Sequence, residues 1–151
     1  PGFQFISPGL LVDRELSLLI KNCHPGNADF GIVPSYSFQM QCHGERMPAG
    51  SITLRIGNTD YIRLNAGHTG YTVNPEFRGN RFAARSCKLL MPLARHHGLT
   101  ELWITCNPDN YASRRTIEIL GGEFVGIVDL QPGSDMYVRG ERRKCRYRLI
   151  I

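Results

Sequence analysis

The sequence predicts one α+β domain, because its first half is rich in alternating, strand-like segments and its second half interleaves helical and strand-like ones. The 151 residues, 42% of them hydrophobic, can build one sizeable core but not two ordinary domains. The net charge of +5 favours a polyanionic partner, which could be nucleic acid, an anionic surface or a phosphate-bearing cofactor. We therefore expect residues 1–151 to fold as a single domain.

Strand-like alternation dominates the chain up to Pro75. Apolar and polar side chains alternate over residues 35–41 and 51–56, which look like antiparallel neighbours, and a shorter alternation begins at Leu16. The intervening residues 23–34 are rich in Gly, Pro and Asn and are expected to form a loop. A turn then leads into a further predicted strand over residues 61–73.

Helical periodicity begins at Gly79. Apolar side chains recur every three to four residues as far as His97, and Gly98 is a stop signal, so a helix is expected here, with a kink at Pro92. A second helix is predicted over residues 111–120. Strands are predicted over residues 101–106, 123–130 and 144–151.

The composition favours a soluble, cytoplasmic protein without a metal. No apolar run approaches the roughly 18 residues of a membrane span, and the N-terminus lacks the pattern of a signal peptide. The five cysteines contain no C-x-x-C pair and are expected to be free thiols. The Cys-His pairs at residues 23–24 and 42–43 would point their side chains to opposite faces of a strand, so no zinc site is expected.

A basic strand-to-helix junction, VNPEFRGNRFAARS over residues 73–86, is the strongest candidate binding site. The first amide N–H groups of a helix have no partner inside the helix, and the helix dipole adds about half a positive charge there. Arg78 and Arg81 are expected in the turn and the first helical residues, with Arg85 and Lys88 behind them. Cations are unfavourable at this end of a helix unless an anion compensates them, so the junction is predicted to bind phosphate.

The same junction resembles the pyrophosphate loop of the GNAT superfamily of acyl-CoA-dependent N-acetyltransferases, written Q/R-x-x-G-x-G/A after a strand that ends in valine. Arg78 matches the first position and Ala83 the last, whereas Arg81 replaces the middle glycine. The resemblance implies a central mixed, mostly antiparallel sheet flanked by helices, with acetyl-CoA as cosubstrate. It assigns cofactor binding to Val73, Arg78, Gly79, Asn80, Arg81, Phe82 and Ala83.

A second stretch, DNYASRRTIEILGGEF over residues 109–124, resembles the later helix of that family. The implied cofactor residues are Asn110, whose amide suits the pantetheine arm, and Ser113. Asn110 is equally a candidate for the N-cap of this helix. Many members carry a tyrosine four residues beyond Ser113 that protonates the leaving thiolate. This chain has Ile117 there, so that role is vacant or has moved.

The resemblance further implies direct attack of a primary amine on the thioester, through a tetrahedral intermediate whose oxyanion bonds a backbone N–H near Val73. The candidate catalytic residues are His68, Tyr71 and Tyr111. His68 is expected to act as general base or else to be structural, Tyr71 to line the substrate site, and Tyr111 to replace the missing acid. The sequence does not identify the acceptor amine. Its pocket is expected to be open or completed by a second subunit in a homodimer.

Two alternatives stay open at this stage. The run RGERRKCRYR over residues 139–148 has the cations and the tyrosine of a nucleic-acid-binding surface. A solvated strand gives the same pattern, so nucleic acid ranks below acetyl-CoA as a partner. An acyl-CoA sensor without catalysis would fit the missing tyrosine. Steep salt dependence of oligonucleotide binding would favour the first alternative, and an absence of thiol release the second.

Overall fold

The strands form two antiparallel sheets in a computed structural model that describes residues 2–151. The strands are β1 (Leu11–Asp13), β2 (Leu16–His24), β3 (Ser35–Cys42), β4 (Gly50–Arg55), β5 (Thr69–Val73), β6 (Glu101–Cys106), β7 (Glu123–Asp129) and β8 (Arg143–Ile150). The helices are α1 (Phe82–His96), α2 (Tyr111–Ile119) and α3 (Asp135–Val138). The predicted α+β class with mostly antiparallel pairing is confirmed.

The first sheet has the order β1-β2-β3-β4-β5 and the second the order β6-β8-β7. The alternation seen in the sequence places one face of each sheet in a common core. Core side chains of the first sheet include Leu16, Tyr36, Phe38, Met40, Ile52 and Leu54, and those of the second include Leu102, Ile104, Cys145, Tyr147 and Leu149. Helix α1 packs its apolar stripe, with Cys87, Leu90 and Leu93, into the same core.

The predicted strand over residues 61–73 is wrong in its first two thirds. Residues Ile62–Ala66 form a π-helical turn, and only Thr69–Val73 is a strand. Gly67 divides the two with a φ of 73°, and a Cβ there would lie 2.7 Å from the carbonyl oxygen of Trp103. This close approach to β6 needs glycine, so the chain cannot stay extended through the turn.

Helix α1 also begins later than predicted, at Phe82 rather than Gly79. Arg81 is its N-cap residue and has a left-handed backbone, with φ 57° and ψ 30°, which cannot continue a right-handed helix. At the other end α1 continues through Pro92 to His96. A kink at Pro92 stays a prediction.

The five cysteines are free thiols, as predicted. Among residues 2–151, none of the helices has the length and apolarity needed to span a bilayer. Within the same range, no group of three His, Cys, Asp or Glu side chains is placed to hold a metal ion.

The two sheets meet at His68, which is completely buried. Its backbone N–H donates to Trp103 O at 2.6 Å, and its Nδ1 accepts the Trp103 N–H at 2.8 Å. Because Nδ1 accepts, the ring proton lies on Nε2, which donates to Gly57 O at 2.8 Å with Asn58 Oδ1 at 3.1 Å. Beyond this contact β5 and β6 belong to different sheets. We call the space between β5, β6 and α2 the wedge.

We expect His68→Ala to lower the free energy of unfolding by about 3 kcal/mol, because it opens a buried cavity and leaves the Trp103 N–H without its acceptor. Urea unfolding followed by tryptophan fluorescence measures the change. His96→Ala, at an exposed residue of the last turn of α1, is the matched control and should change stability by less than about 0.5 kcal/mol. Equal effects of the two substitutions would contradict the junction role.

Mild acid should destabilise the fold. Burial lowers the pKa of His68 below its usual 6.5, and burial also lowers the pKa of His97. Such histidines stabilise the fold fully above their unfolded pKa, and this stabilisation is lost as pH falls from about 6.5 through the folded pKa. Urea unfolding at about pH 7.5 and about pH 5.5 should show a lower free energy of unfolding in acid. Identical values would refute this assignment.

Candidate active site

The predicted anion site is a turn between β5 and α1. Pro75–Phe77 form a 3-10 turn, Gly79 has φ 92°, and Arg81 caps α1 without a side-chain cap bond. The hydrogen-bond pattern of α1 begins with the amide N–H of Arg85, which donates to the carbonyl oxygen of the N-cap residue Arg81 at 2.9 Å. Strand β5 therefore ends at Val73, the chain turns, and helix α1 begins nine residues later at Phe82.

This turn presents a row of free donors. Within the described chain, the amide N–H groups of residues 79–84 donate to no protein acceptor. A Cβ at Gly79 would meet nothing within 4 Å, so the approach to these donors is open. No acidic side chain lies in the first turn of α1. The row and the helix dipole together make a site for a phosphate-bearing group.

The cations around the turn have different roles, which the sequence does not reveal. Arg85 is used by the fold: it forms an ion pair with Asp13 at 2.6 Å, another with Glu15, and a bond to Asn80 O at 3.2 Å. Arg78 is exposed, and its Nε donates to Val73 O at 3.1 Å. Of the cations around the turn, Arg78, Arg81 and Lys88 are exposed and have no carboxylate partner within residues 2–151.

A cavity of about 520 Å³ continues from this turn along α1. Arg81, Lys88 and Arg14 line it, together with Ala84 and Leu89. Phe82 and Ala83, in contrast, are buried in the protein interior. These two residues therefore offer a ligand their backbone N–H groups rather than their side chains.

One edge of β5 is free and faces the wedge. Asn74 N–H donates to Ala49 O, and β4 pairs with β5 over residues 69–73. Because an antiparallel ladder uses alternate residues, the amides of Tyr71 and Val73 point away from β4. The Val73 carbonyl oxygen accepts a hydrogen bond from Arg78 Nε and not from β4, which agrees with a Val73 backbone whose polar groups point away from β4. Tyr71 and Val73 thus offer backbone groups to a ligand in the wedge.

Tyr71 and Ser113 span the wedge. The Tyr71 hydroxyl lies 2.8 Å from Ser113 Oγ in α2. Burial raises the pKa of Tyr71 well above its usual 10, more than the Ser113 bond lowers it. Tyr71 is therefore neutral at neutral pH, and either hydroxyl of the Tyr71–Ser113 pair can be the donor. The sequence proposed both residues for the site but not their contact.

Asn110 is the N-cap residue of α2, which is one of the two roles predicted for it; the other is binding the pantetheine arm. Its Oδ1 accepts the Ser113 N–H at 3.1 Å, which leaves Nδ2 as a donor for a ligand. Tyr111, the next residue, is 73% exposed, and its hydroxyl bonds no other group in residues 2–151. Ile117 is 0% exposed and belongs to the core, so no acid can act from that position.

His68 is placed differently from the other candidates. It lies in the sheet junction with no exposure, and both ring nitrogens already take part in hydrogen bonds. Its lowered pKa reflects burial. Neither nitrogen is free to take a proton from a substrate, so the structure does not bring His68 into the open part of the wedge.

The charge of the basic C-terminal run is partly balanced within the chain. Lys144 pairs with Glu141 at 2.7 Å, and Arg148 lies between Glu101 at 3.8 Å and Glu123 at 3.6 Å. The guanidinium groups of two further members stack on aromatic rings, Arg142 on Tyr137 and Arg146 on Trp103.

Comparison with known proteins places this arrangement in a family. A sequence model described as Acetyltransferase (GNAT) domain matches residues 14–123. No curated protein matches the sequence. Among solved structures, RimL, a ribosomal L7/L12 alpha-N-protein acetyltransferase, superposes with a TM-score of 0.58 at 21% identity over 78% of this chain and 61% of RimL.

Two other structures show the same fold. The microcin C7 self-immunity acetyltransferase MccE, in complex with acetyl-CoA and AMP, has a TM-score of 0.60 at 16% identity over 78% of this chain and 61% of its own. The ribosomal-protein-S5-alanine acetyltransferase from Vibrio fischeri has a TM-score of 0.61 at 18% identity over 77% and 61%. The chain thus spans about three fifths of the length of these structures.

The family match covers most of the chain and includes both the strand-to-helix turn and the wedge. The structures that share the fold are acetyltransferases. The predicted family is therefore confirmed: the protein belongs to the GNAT family of acetyltransferases.

Proposed function

We propose that this protein transfers an acetyl group from acetyl-CoA to a primary amine. The observation that carries the proposal is the row of free amide donors over residues 79–84 beside the open edge of β5. A phosphate-bearing group and an extended, peptide-like arm can bind there together. Structurally similar proteins that modify amines of ribosomal proteins support an amine acceptor.

The turn fits the pyrophosphate of coenzyme A. Amide donors and a helix N-terminus favour an anion, and no side chain occupies the space above Gly79. Arg81 and Lys88 add positive charge at the rim. The pantetheine arm contains amides, so the free backbone groups of Tyr71 and Val73 and the Nδ2 of Asn110 are suitable partners for it.

When bound, acetyl-CoA supplies an activated thioester carbonyl that the amine attacks, so that a C–N bond replaces the C–S bond. The amides of Tyr71 and Val73 are the donors available to negative charge on that carbonyl oxygen. Tyr71 keeps its proton because burial raises its pKa, so the Tyr71–Ser113 pair can stabilise the leaving sulfur by a hydrogen bond, and the thiolate takes its proton from solvent water. The pair thus partly replaces the tyrosine that position 117 lacks.

The proton of the amine goes to solvent water rather than to His68. Both ring nitrogens of His68 are engaged, so we assign it a positioning role. Tyr111 is the second candidate for the acid because its hydroxyl is free at the start of α2. A homodimer stays a prediction.

Nucleic-acid binding is the weaker alternative. Most cations of the C-terminal run are paired with Glu101, Glu123 and Glu141 or stacked on rings. The cations paired with carboxylates release few counterions when a polyanion binds, and the stacked guanidinium groups are held against the protein surface. A non-catalytic CoA sensor differs from the proposed enzyme only in turnover, so thiol release from acetyl-CoA across a panel of amines separates the two.

Arg81→Gly should stabilise the protein and keep CoA binding. Glycine relieves the left-handed backbone, so the free energy of unfolding should rise by about 1 kcal/mol and the melting temperature by about 3 °C. The CoA Kd should stay within about tenfold, roughly 1.4 kcal/mol, because the amide donor remains. Calorimetry measures both. Lys88→Gly, inside α1, should instead destabilise by about 1 kcal/mol.

A larger loss of CoA affinity in Arg81→Gly would show that the guanidinium itself binds phosphate. A fall in melting temperature would show that the left-handed backbone is not strained.

Tyr71→Phe should lower kcat about tenfold, because it removes the hydroxyl that is hydrogen-bonded to Ser113 at the leaving sulfur, with the CoA Kd changed less than about threefold. The alkaline limb of the pH profile should keep its position, since the pKa of Tyr71 lies above that range. Steady-state thiol release measures both. Tyr111→Phe is the matched control: if it causes the larger loss in kcat, the acid is Tyr111 and the Tyr71 assignment fails.

A further inference from the structure

Three cations converge on the cavity of about 520 Å³ that continues from the turn between β5 and α1. Arg14 lies between β1 and β2, whereas Arg81 and Lys88 belong to the start and the second turn of α1. The amide of Arg81 is also part of the row of free donors over residues 79–84. A ligand that binds these amides can therefore extend directly into the cavity.

The charge of these cations is not balanced within the chain. Among residues 2–151, the one carboxylate that lines the cavity is that of Asp13, which forms an ion pair with Arg85 at 2.6 Å. Arg85 thus neutralises a group that would otherwise repel a bound anion. Arg14 approaches the same carboxylate only to 3.4 Å, and its side chain is 73% exposed. Arg81 and Lys88 are exposed as well, so all three cations can meet an anion in the cavity.

Two of the three cations stand at strained backbone positions. Arg14 has a φ of 54° and Arg81 a φ of 57°, and in the described part of the chain these are the two residues other than glycine with a positive φ. A left-handed backbone is unfavourable for a residue with a Cβ and costs glycine little. Strained residues cluster at ligand sites, where the side chain is needed. Both arginines line the same cavity, although they are far apart in the sequence.

The remaining wall of the cavity is mostly apolar. Val12, Leu89 and Ile119 line it, together with Ala84. Val12 is exposed, and Leu89 and Ile119 are half-buried. A flat base that lies against these side chains removes their surface from water. The cavity therefore fits a ligand that carries both a base and a phosphate.

We propose that this cavity binds the adenosine 3′-phosphate of coenzyme A, and that Arg14 and Lys88 select coenzyme A over 3′-dephospho-coenzyme A. The inference rests on the acetyl transfer proposed above and adds a specificity element to it. Lys88 lies four residues beyond Ala84, about 6 Å along the helix axis. The ribose separates the 3′-phosphate from the pyrophosphate by a similar distance. The adenine then lies against the apolar wall.

Other uses of this surface leave part of it unexplained. A free phosphate ion would meet the cations but would leave the apolar wall in contact with water. A cofactor whose adenosine pointed into solvent would use neither Arg14 nor Lys88, and nothing would then offset the left-handed backbone of Arg14. The combination of strained cations and apolar surface therefore favours the adenosine 3′-phosphate.

The test compares the binding of coenzyme A and 3′-dephospho-coenzyme A by calorimetry, so that it does not depend on turnover. We expect coenzyme A to bind about tenfold more tightly at low salt, and added salt should shrink this preference because it screens exposed charges. Lys88→Gln should reduce the preference to about threefold or less. Arg95→Gln, at an exposed arginine two turns further along α1, is the matched control and should keep the preference.

Arg14→Gly separates a binding role from a structural one. Glycine relieves the left-handed backbone, so the melting temperature should rise by about 3 °C. The preference for coenzyme A should nevertheless fall to about threefold or less, because a cation is lost from the cavity. A purely structural arginine would give the opposite pair of results, a lower melting temperature with the preference unchanged.

Equal affinity of the unaltered protein for the two cofactors would overturn the proposal and leave the acetyl transfer intact. An unchanged preference in both Lys88→Gln and Arg14→Gly would also overturn it. If a variant does not fold, the comparison of the two cofactors on the unaltered protein still decides. An absence of thiol release with every amine, in contrast, would refute the acetyl transfer and not the adenosine subsite.

Discussion

The contact between His68 and Trp103 is the constraint on which the rest of the structure depends. It joins the segment before β5 to β6 through a buried ring whose nitrogens are both satisfied. A further bond nearby, from Thr105 Oγ1 in β6 to Asn65 O at 2.6 Å, supports the junction. A complete ladder between β5 and β6 would use up the backbone groups of Tyr71 and Val73. Contacts confined to the start of β5 leave its edge free and still anchor the strand to the second sheet.

The anion site is built mainly from backbone, although the chain is basic. Arg85 holds the β1–β2 turn against α1, and Arg148 and Lys144 pair with nearby carboxylates. The net charge of +5 therefore says little about where an anion binds. The deciding feature is the row of unpaired amides around Gly79 and Arg81, which both have a positive φ, because the start of the helix fixes the position of these amides.

The sequence predicted what depends on local periodicity. Strands β3, β4, β6 and β8 and the end of α1 follow from alternation and a glycine stop, and the two motifs identified the family. It could not predict the π-helical turn before Gly67, because that turn depends on the approach of Trp103 from a distant strand. The pairing of Arg85 with Asp13 likewise joins residues 72 positions apart. The left-handed backbone of Arg81 had one signal in the sequence, because this arginine stands at a position where the family motif has glycine.

The two faces of β5 have different surroundings, and the backbone between them limits how an acceptor can approach. Tyr71 faces α2 and the wedge, where its hydroxyl lies 2.8 Å from Ser113 Oγ. Gly70 faces the other side, where a Cβ would lie 3.3 Å from Nη2 of Arg55. Because β4 pairs with β5 through residue 70, the paired backbone separates Arg55 from a thioester in the wedge. Direct attack therefore requires the amine to reach the thioester past the free edge of β5 rather than through the sheet.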